Sequence, residues 1–311
     1  MINIANSFSI IIPHKNCPLL LQRCLDSIPV RENIQVIVVD DNSDSTIVDF
    51  DNFPGIDRED VTIIYTKEGK GAGYARNIGL GYATGEWVVF ADADDYFFSQ
   101  ELIKLFELNI PYEVKVVLFK FKFFLKDGSF FIYPDIQSSD SSVDNSLIVS
   151  YDTNDLCRNA VMPWAKMVRR SHLINNNIRF DEVKWGNDMI YSTRLSLSID
   201  SYLIAPLLVY SHEWYSSSLV NKEPGLEMFF KRALLSLKRA ILLQRGGKLD
   251  FNIFADQWYQ KVYCLSYPHS VLLKFRSFLQ LGPKYCFKNW MQFTQKPLYL
   301  TRQFIKRLIR R

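Results

Sequence analysis

The residues of this chain best suited to chemistry are acids that close two apolar runs. Asp92, Asp94 and Asp95 follow Trp87–Phe90 (WVVF), with only Ala91 and Ala93 interposed. Carboxylates this close repel one another unless a cation or solvent compensates. Alternate carboxylates also supply oxygen ligands to a hard divalent ion such as Mn2+ or Mg2+. Such an ion can bridge two phosphates and offset the charge on a departing nucleotide. The competing reading is a solvated acidic start to a helix, with Asp95 as its cap.

The second acidic group, Asp40-Asp41-Asn42-Ser43-Asp44, follows Val36–Val39 (VIVV) directly. An Asx-rich turn explains it, and so does an acceptor for the imide N–H of uracil, which requires a carboxylate rather than a donor. Between the two groups lies Gly69-Lys70-Gly71-Ala72-Gly73-Tyr74-Ala75-Arg76-Asn77. Tyr74 and Arg76 stand where a dinucleotide fingerprint needs glycine, and the P-loop pattern fails as well. A glycine loop remains, opening a helix whose first turns carry Lys70 and Arg76, which suits either anion contact or a tight turn.

The elements that must position these groups alternate in type. Phe8–Ile12, Val36–Val39, Val61–Tyr65 and Trp87–Phe90 are β-branched or aromatic runs of the kind buried on both faces of a sheet. Pro18–Ile28 and Tyr74–Ala83 carry helical stripes between them. Strand–helix alternation predicts an α/β fold with a mostly parallel, doubly wound sheet, whose ligands bind beyond the carboxyl ends of the strands. Further on, the patterns predict a helix over Ser99–Leu108, a hairpin turning at Asp127-Gly128, a loop over Gln137–Asn145, and helices at Asp155–Ala160, Arg170–Asn176 and Asp188–Leu197. Ser201–Tyr210 reads as a strand interrupted at Pro206, and Glu223–Gln244 as a helix closed by Gly246-Gly247. Helical patterns are also expected over Phe251–Ser266 and the tail.

Composition narrows the classes. Of 311 residues, 48% are apolar and 23% charged, enough to build a core and too apolar for wholesale disorder. The five cysteines are odd in number and lack CxxC spacing, so neither a disulfide framework nor a zinc site is expected, and a reducing cytoplasm fits. The first residues lack the basic and long apolar regions of a signal peptide, and the longest apolar stretch is broken by Lys115, Lys120 and Lys122, so no membrane span is expected. Charge is uneven: from Gln257 to Arg311 there are 11 Lys and Arg and no acid, against 26 basic and 33 acidic residues before it.

The segments IIIPHKN, VVDDNSD and KGAGYARNIGLGYATGEWVVFADADD together resemble glycosyltransferase family 2, the inverting enzymes of the GT-A fold that build bacterial surface polysaccharides. The resemblance runs from about Phe8 to Tyr215. Met162–Leu173 (MPWAKMVRRSHL) is similar to the family's acceptor-side segment, and Gly186-Asn187-Asp188-Met189-Ile190 with Arg194-Leu195 is similar to its ED motif, with Asn in place of Glu. The resemblance implies that Asp41 holds the uracil imide of a nucleotide-sugar donor while Asp40 supports its loop. Pro13, Lys15, Gly73, Arg76 and Ala93 join Asp92 on the donor side. Asp94 becomes the principal metal ligand beside Asp92, Asp188 the catalytic base, and Trp164, Lys166 and Asn187 the acceptor side. His212 lies where some GT-A enzymes have a third metal ligand. Two departures matter: Lys15 stands after His14 where the family often has an aromatic before Asn, and Asn187 removes an acceptor-site carboxylate.

The expected organisation is a catalytic domain over residues 1–215, with a donor half to about 98 and an acceptor half beyond it, followed by a helical basic region over 216–311. The implied partners are a nucleotide sugar and a glycan or lipid-linked oligosaccharide acceptor, with homo-oligomerisation left open. The tail interleaves aromatics with Lys and Arg, which suits packing on the domain or an anionic membrane surface and hence peripheral attachment to the cytoplasmic membrane. No recognition module for nucleic acid accompanies the charge. Two rival classes are weighed. A nucleotidyltransferase would show a Gly-rich basic signature after the first strand, where this chain has PHKNCP. A catalytically inactive GT-A-like binding protein would not need Asp92, Asp94 and Asp188 intact.

Overall fold

The structure is a computed structural model that describes residues 7–135, 147–153, 155–158, 160–183, 186–215 and 226–247. The expected loop over 137–145 and the basic tail lie outside the described residues. The chain divides into two units, Met1–Lys222 and Glu223–Arg311.

The first unit is built on one mixed sheet. Strands β1 (Phe8–His14), β2 (Ile34–Asp41), β3 (Val61–Thr66) and β4 (Trp87–Phe90) are parallel, in spatial order β3-β2-β1-β4. All seven residues of β1 and all four of β4 are buried, because helices α1 (Pro18–Asp26) and α2 (Ala72–Tyr82) belong to the crossovers that cover the sheet. In α1, Leu21, Cys24 and Leu25 form the buried stripe, and Pro18 occupies the first turn, where its missing N–H costs nothing. These elements coincide with those expected to within a few residues.

Beyond β4 the sheet departs from a doubly wound parallel pattern. After β5 (Tyr96–Phe97), α3 (Ser99–Phe106), β6 (Val116–Phe124), β7 (Phe130–Tyr133), β8 (Ile148–Ser150) and α4 (Asp155–Arg158) comes β9 (Lys166–Arg169), which inserts antiparallel between β4 and β6. Helices α5 (Arg170–Asn175) and α6 (Asn187–Leu197) follow, and then β10 (Tyr202–His212), parallel to β6. Strand β10 is continuous rather than interrupted at Pro206. Its register with β6 shifts between Ala205 and Leu208, so the proline sits at a bulge where no ladder donor is required.

In the second unit, α7 (Leu226–Arg245) ends as expected, with the N–H of Gly246 on the Leu242 carbonyl and Gly247 at φ 74°.

Candidate functional site

The acids found in the sequence stand at the carboxyl ends of β2 and β4, the two strands that flank β1. The parallel register sets His14 beside Asp40 and the buried Pro13 beside Val39. Within this frame the His14 ring accepts the Cys17 N–H on Nε2 (3.2 Å), so its proton rests on Nδ1, 2.8 Å from Asp40 Oδ2. Ser43 donates to the same carboxylate through its backbone N–H (2.8 Å) and its hydroxyl (2.5 Å). Burial opposes ionisation of Asp40, but the hydrogen bonds from His14 and Ser43 outweigh it and hold the carboxyl below its usual range. The donors to the Asp40 carboxylate thus come from its own loop and from the neighbouring end of β1.

Asp41 is arranged differently. Its Oδ2 accepts the Gly71 N–H at 2.8 Å, where φ of 97° selects glycine, and lies 3.6 Å from Lys15 Nζ. Lys15 also donates to the Asp41 carbonyl at 2.8 Å. Asp41 Oδ1 is buried and has no partner among the described residues. An unpaired buried carboxylate oxygen costs free energy unless something outside the chain donates to it.

Beyond β4, Asp92, Asp94 and Asp95 each offer a carboxylate oxygen within 4.8 Å of the others. Burial first, and the Asp92 charge second, push the Asp94 carboxyl up to about 6. Asp95 is displaced upward too, again chiefly by burial. Both its oxygens are occupied: Oδ2 accepts from the Tyr210 hydroxyl (2.8 Å) and Oδ1 from the Glu213 N–H (2.9 Å). Asp92 and Asp94 therefore remain to face a ligand, with Ala93 buried between them. Crowded hard oxygens whose ionisation is resisted suit a divalent cation. Arg23, unmarked by any sequence motif, donates to the Asp94 carbonyl at 2.5 Å and lies over the Tyr96 ring.

The remaining site residues gather around Arg76, which is 5% exposed. Its guanidinium donates to the Asp92 carboxylate and, at 2.9 Å, to Asn187 Oδ1. Arg76 is thereby committed to protein groups, and it joins the acid cluster to the first turn of α6. Asn187 is pressed against Gly73, where an added Cβ would lie 2.9 Å from the Asn187 Cβ and 2.5 Å from the Asp181 carbonyl. Gly73 thus has a packing role of its own. Asp188 follows in the first turn of α6, accepting the Met189 N–H at 2.9 Å, and burial raises its carboxyl above the ordinary range despite the opposing charge of Arg76.

Two acceptor-side candidates turn inward. Lys166 is fully buried and donates to the carbonyls of Ala160 (2.8 Å) and Met162, which clamps the segment ahead of β9; burial lowers its ammonium to about 7. Trp164, 3% exposed, stacks on Tyr210 at 4.8 Å and meets Phe121 edge-on. His212 lies 4.1 Å from Phe123 in a parallel stack, and its buried Nδ1 has no partner among the described residues. Among the described residues the group of close ligand atoms comprises the three acids, without His212. Burial lowers the imidazole against the raising pull of Asp92 and Glu213.

Residues 9–160 match the protein family described as Glycosyl transferase family 2. The chain is 25% identical over 223 residues to Glycosyltransferase GlyA of Streptococcus pneumoniae, covering 69% of this chain and 31% of that one. It is 27% identical over 202 residues to the Poly(ribitol-phosphate) beta-glucosyltransferase of Bacillus spizizenii, covering 62% and 31% respectively. The chain thus spans about a third of the length of these curated relatives. Among solved structures it resembles S. aureus TarS 1-349 in complex with UDP-GlcNAc, with a TM-score of 0.62 at 18% identity over 90% of this chain and 82% of that one. At that identity the likeness is one of fold: a central sheet flanked by helices, of the GT-A kind. No helix among the described residues is long and apolar enough to cross a membrane.

Proposed function

We propose, from the premise that residues 9–160 belong to glycosyltransferase family 2, that the chain moves a sugar from a UDP-sugar to a glycan or lipid-linked acceptor with inversion at the anomeric carbon. The observation that carries this reading is the pairing of a buried, unpartnered Asp41 oxygen at the end of β2 with a cluster of ligand oxygens at the end of β4, on the other side of β1. Asp41 Oδ1 accepts the imide proton of uracil, which cytosine, with an acceptor at that ring position, cannot offer. Asp40, saturated by His14 and Ser43, holds the loop that presents Asp41. Asp92 and Asp94 hold Mn2+ or Mg2+, which when bound offsets the charge on the diphosphate leaving group.

Asp188 takes the proton of the acceptor hydroxyl. Inversion is a single displacement, so one base suffices, and a carboxyl raised above its ordinary range is a stronger base than a solvated one. The UDP-GlcNAc named with TarS supports a hexosyl or N-acetylhexosaminyl donor, and the poly(ribitol-phosphate) relative supports an acceptor in a bacterial surface polymer such as capsule, O-antigen or lipooligosaccharide. The 11 Lys and Arg from Gln257 onward, outside the described residues, support action at the inner face of the cytoplasmic membrane, where each contributes about 1 kcal/mol against anionic lipid.

A thermal-shift screen of UDP-sugars with and without Mn2+ tests the donor and the metal together, since a bound ligand raises the midpoint. The expected result is a shift that requires Mn2+ and is lost in Asp94→Ala. Transfer at full rate in EDTA would end the metal-dependent reading.

A further inference from the structure

The acid run at the end of β4 is held from far along the chain. The buried Tyr210 places its hydroxyl between two points of that run: it accepts the Asp92 N–H at 2.9 Å and donates to Asp95 Oδ2 at 2.8 Å. A phenol has one proton, so with that proton on Asp95 a lone pair is left for Asp92. Asp95 Oδ1 is closed by the Glu213 N–H, three residues further along. The backbone repeats the attachment, with Phe97 and Tyr96 paired to Tyr210 and Ser211, and the Phe98 N–H on the Val209 carbonyl. The phenol is itself fixed by the parallel Trp164 ring and the edge-on Phe97 ring, at 4.8 and 5.1 Å.

We infer that Tyr210 and Asp95 are positioning residues that set the spacing of the Asp92 and Asp94 carboxylates toward the divalent ion; the inference rests on the metal-dependent reading above. Asp95 belongs to the acid cluster by distance, yet each of its oxygens already accepts a hydrogen bond from the protein. Its work is to anchor. The Tyr210 hydroxyl fixes the Asp92 backbone at one end of the run and Asp95 fixes the other, so Asp92 and Asp94 are held at one separation by contacts that leave their carboxylates untouched. Groups that orient metal ligands without touching the metal typically contribute about 10- to 100-fold in metal affinity.

The test is Mn2+ binding to the full chain in the presence of UDP, with free Mn2+ counted by electron paramagnetic resonance. The parent, Tyr210→Phe, Asp95→Asn and Asp94→Ala are compared. Tyr210→Phe keeps the stacked ring and removes only the hydroxyl. It is expected to weaken Mn2+ binding about tenfold and to raise the Mn2+ concentration for half-maximal transfer equally, with kcat recovering at saturating Mn2+. Asp95→Asn, which keeps one acceptor, should weaken binding in the same direction without abolishing it, whereas Asp94→Ala should abolish it. Unchanged Mn2+ affinity in a folded Tyr210→Phe would reduce the hydroxyl to a stabilising contact and overturn the inference. Loss in Asp95→Asn as complete as in Asp94→Ala would make Asp95 a ligand and overturn it too. A parent that ignores Mn2+ removes the metal-dependent reading itself, and the inference with it.

Discussion

Asp94→Asn should make the metal-free protein more stable, by an amount that depends on pH. Asp94 shares a 4.8 Å cluster with Asp92 and Asp95, and burial and the Asp92 charge raise its carboxyl from 3.8 to about 6. A carboxyl raised in the folded state stabilises the fold relative to the ionised form at low pH, and that advantage is lost as pH rises through the folded value. The cost of ionising Asp94 is thus absent below about 3.8, grows between there and about 6, and is constant above. At 1.36 kcal/mol per unit the full displacement is worth about 3 kcal/mol, and the partial exposure of the side chain reduces this to about 2 kcal/mol. Asparagine has a similar shape and no charge. Urea unfolding in EDTA at pH 4, 5 and 7.5 should therefore show Asp94→Asn near parity at pH 4 and about 2 kcal/mol more stable at pH 7.5. Adding Mn2+ with UDP should reverse the order, because only the parent gains the binding energy. A variant less stable than the parent at every pH, or with a gain independent of pH, would refute the account of Asp94 as a strained ligand.

Other substitutions separate the remaining roles. Asp188→Asn should leave Mn2+ and UDP binding intact while lowering kcat roughly 10²- to 10⁴-fold, and the parent's kcat should fall on the acid side at a pH above the ordinary carboxylate range; an unchanged kcat with a raised acceptor KM would reassign the residue to acceptor binding. Arg76→Met strips the partner from the Asp92 carboxylate and Asn187, and should cost about 2 kcal/mol in urea unfolding. It should also move the acid limb of kcat to higher pH, because the charge that opposes the rise of Asp188 is gone; an unmoved limb would count against that coupling. Gly73→Ala drives a methyl toward the Asp181 carbonyl and Asn187, and should cost about 1–3 kcal/mol. A loss under 0.5 kcal/mol would show that α2 yields at this point.

The parallel half of the sheet was legible because strands covered on both faces read as unbroken apolar runs such as IIIP and VIVV. The acid cluster at the end of β4 was legible for a related reason: like charges closing such a run repel one another unless something compensates. Strand β9 was not. Its sequence, KMVR, puts a lysine and an arginine at the ends of a central strand, tolerable only because both charges find backbone carbonyls after the chain folds. The same blindness hid Tyr210 and His14, whose partners lie 118 and 26 residues away. Lys166 shows the converse. The family resemblance put it on the acceptor side, and its buried ammonium is held by two carbonyls of the preceding loop. The proline of β10 was misread as a break because a bulge, which needs no donor there, leaves no trace in residue type.

Strand β9 also bears on the order of assembly. Strand β1 pairs β2 at a separation of 26 residues (Phe8 with Ile34) and β2 pairs β3 at 25 (Val36 with Val61), whereas β4 joins β1 across 79 (Phe8 with Trp87). Among the described residues the ladder between these strands and β6 and β10 runs through Lys166–Arg169, with Trp87, Val88 and Val89 on one side and Val116, Val117 and Leu118 on the other. Arg169 fastens it, pairing with Glu86, donating to the Val114 and Pro111 carbonyls, and lying over the Trp87 ring. Adding β4 to β1, and β9 to β4, each requires a loop of nearly eighty residues to close, an entropic toll that the pairing of β1, β2 and β3 does not pay. Amides of β1 and β2 should become protected early during refolding, and those of β9 late. The acids at the end of β2 would then be in place before those at the end of β4 and before the strand that carries Tyr210, so the Asp41 end of the sheet is built first and the Asp92–Asp95 cluster is completed late.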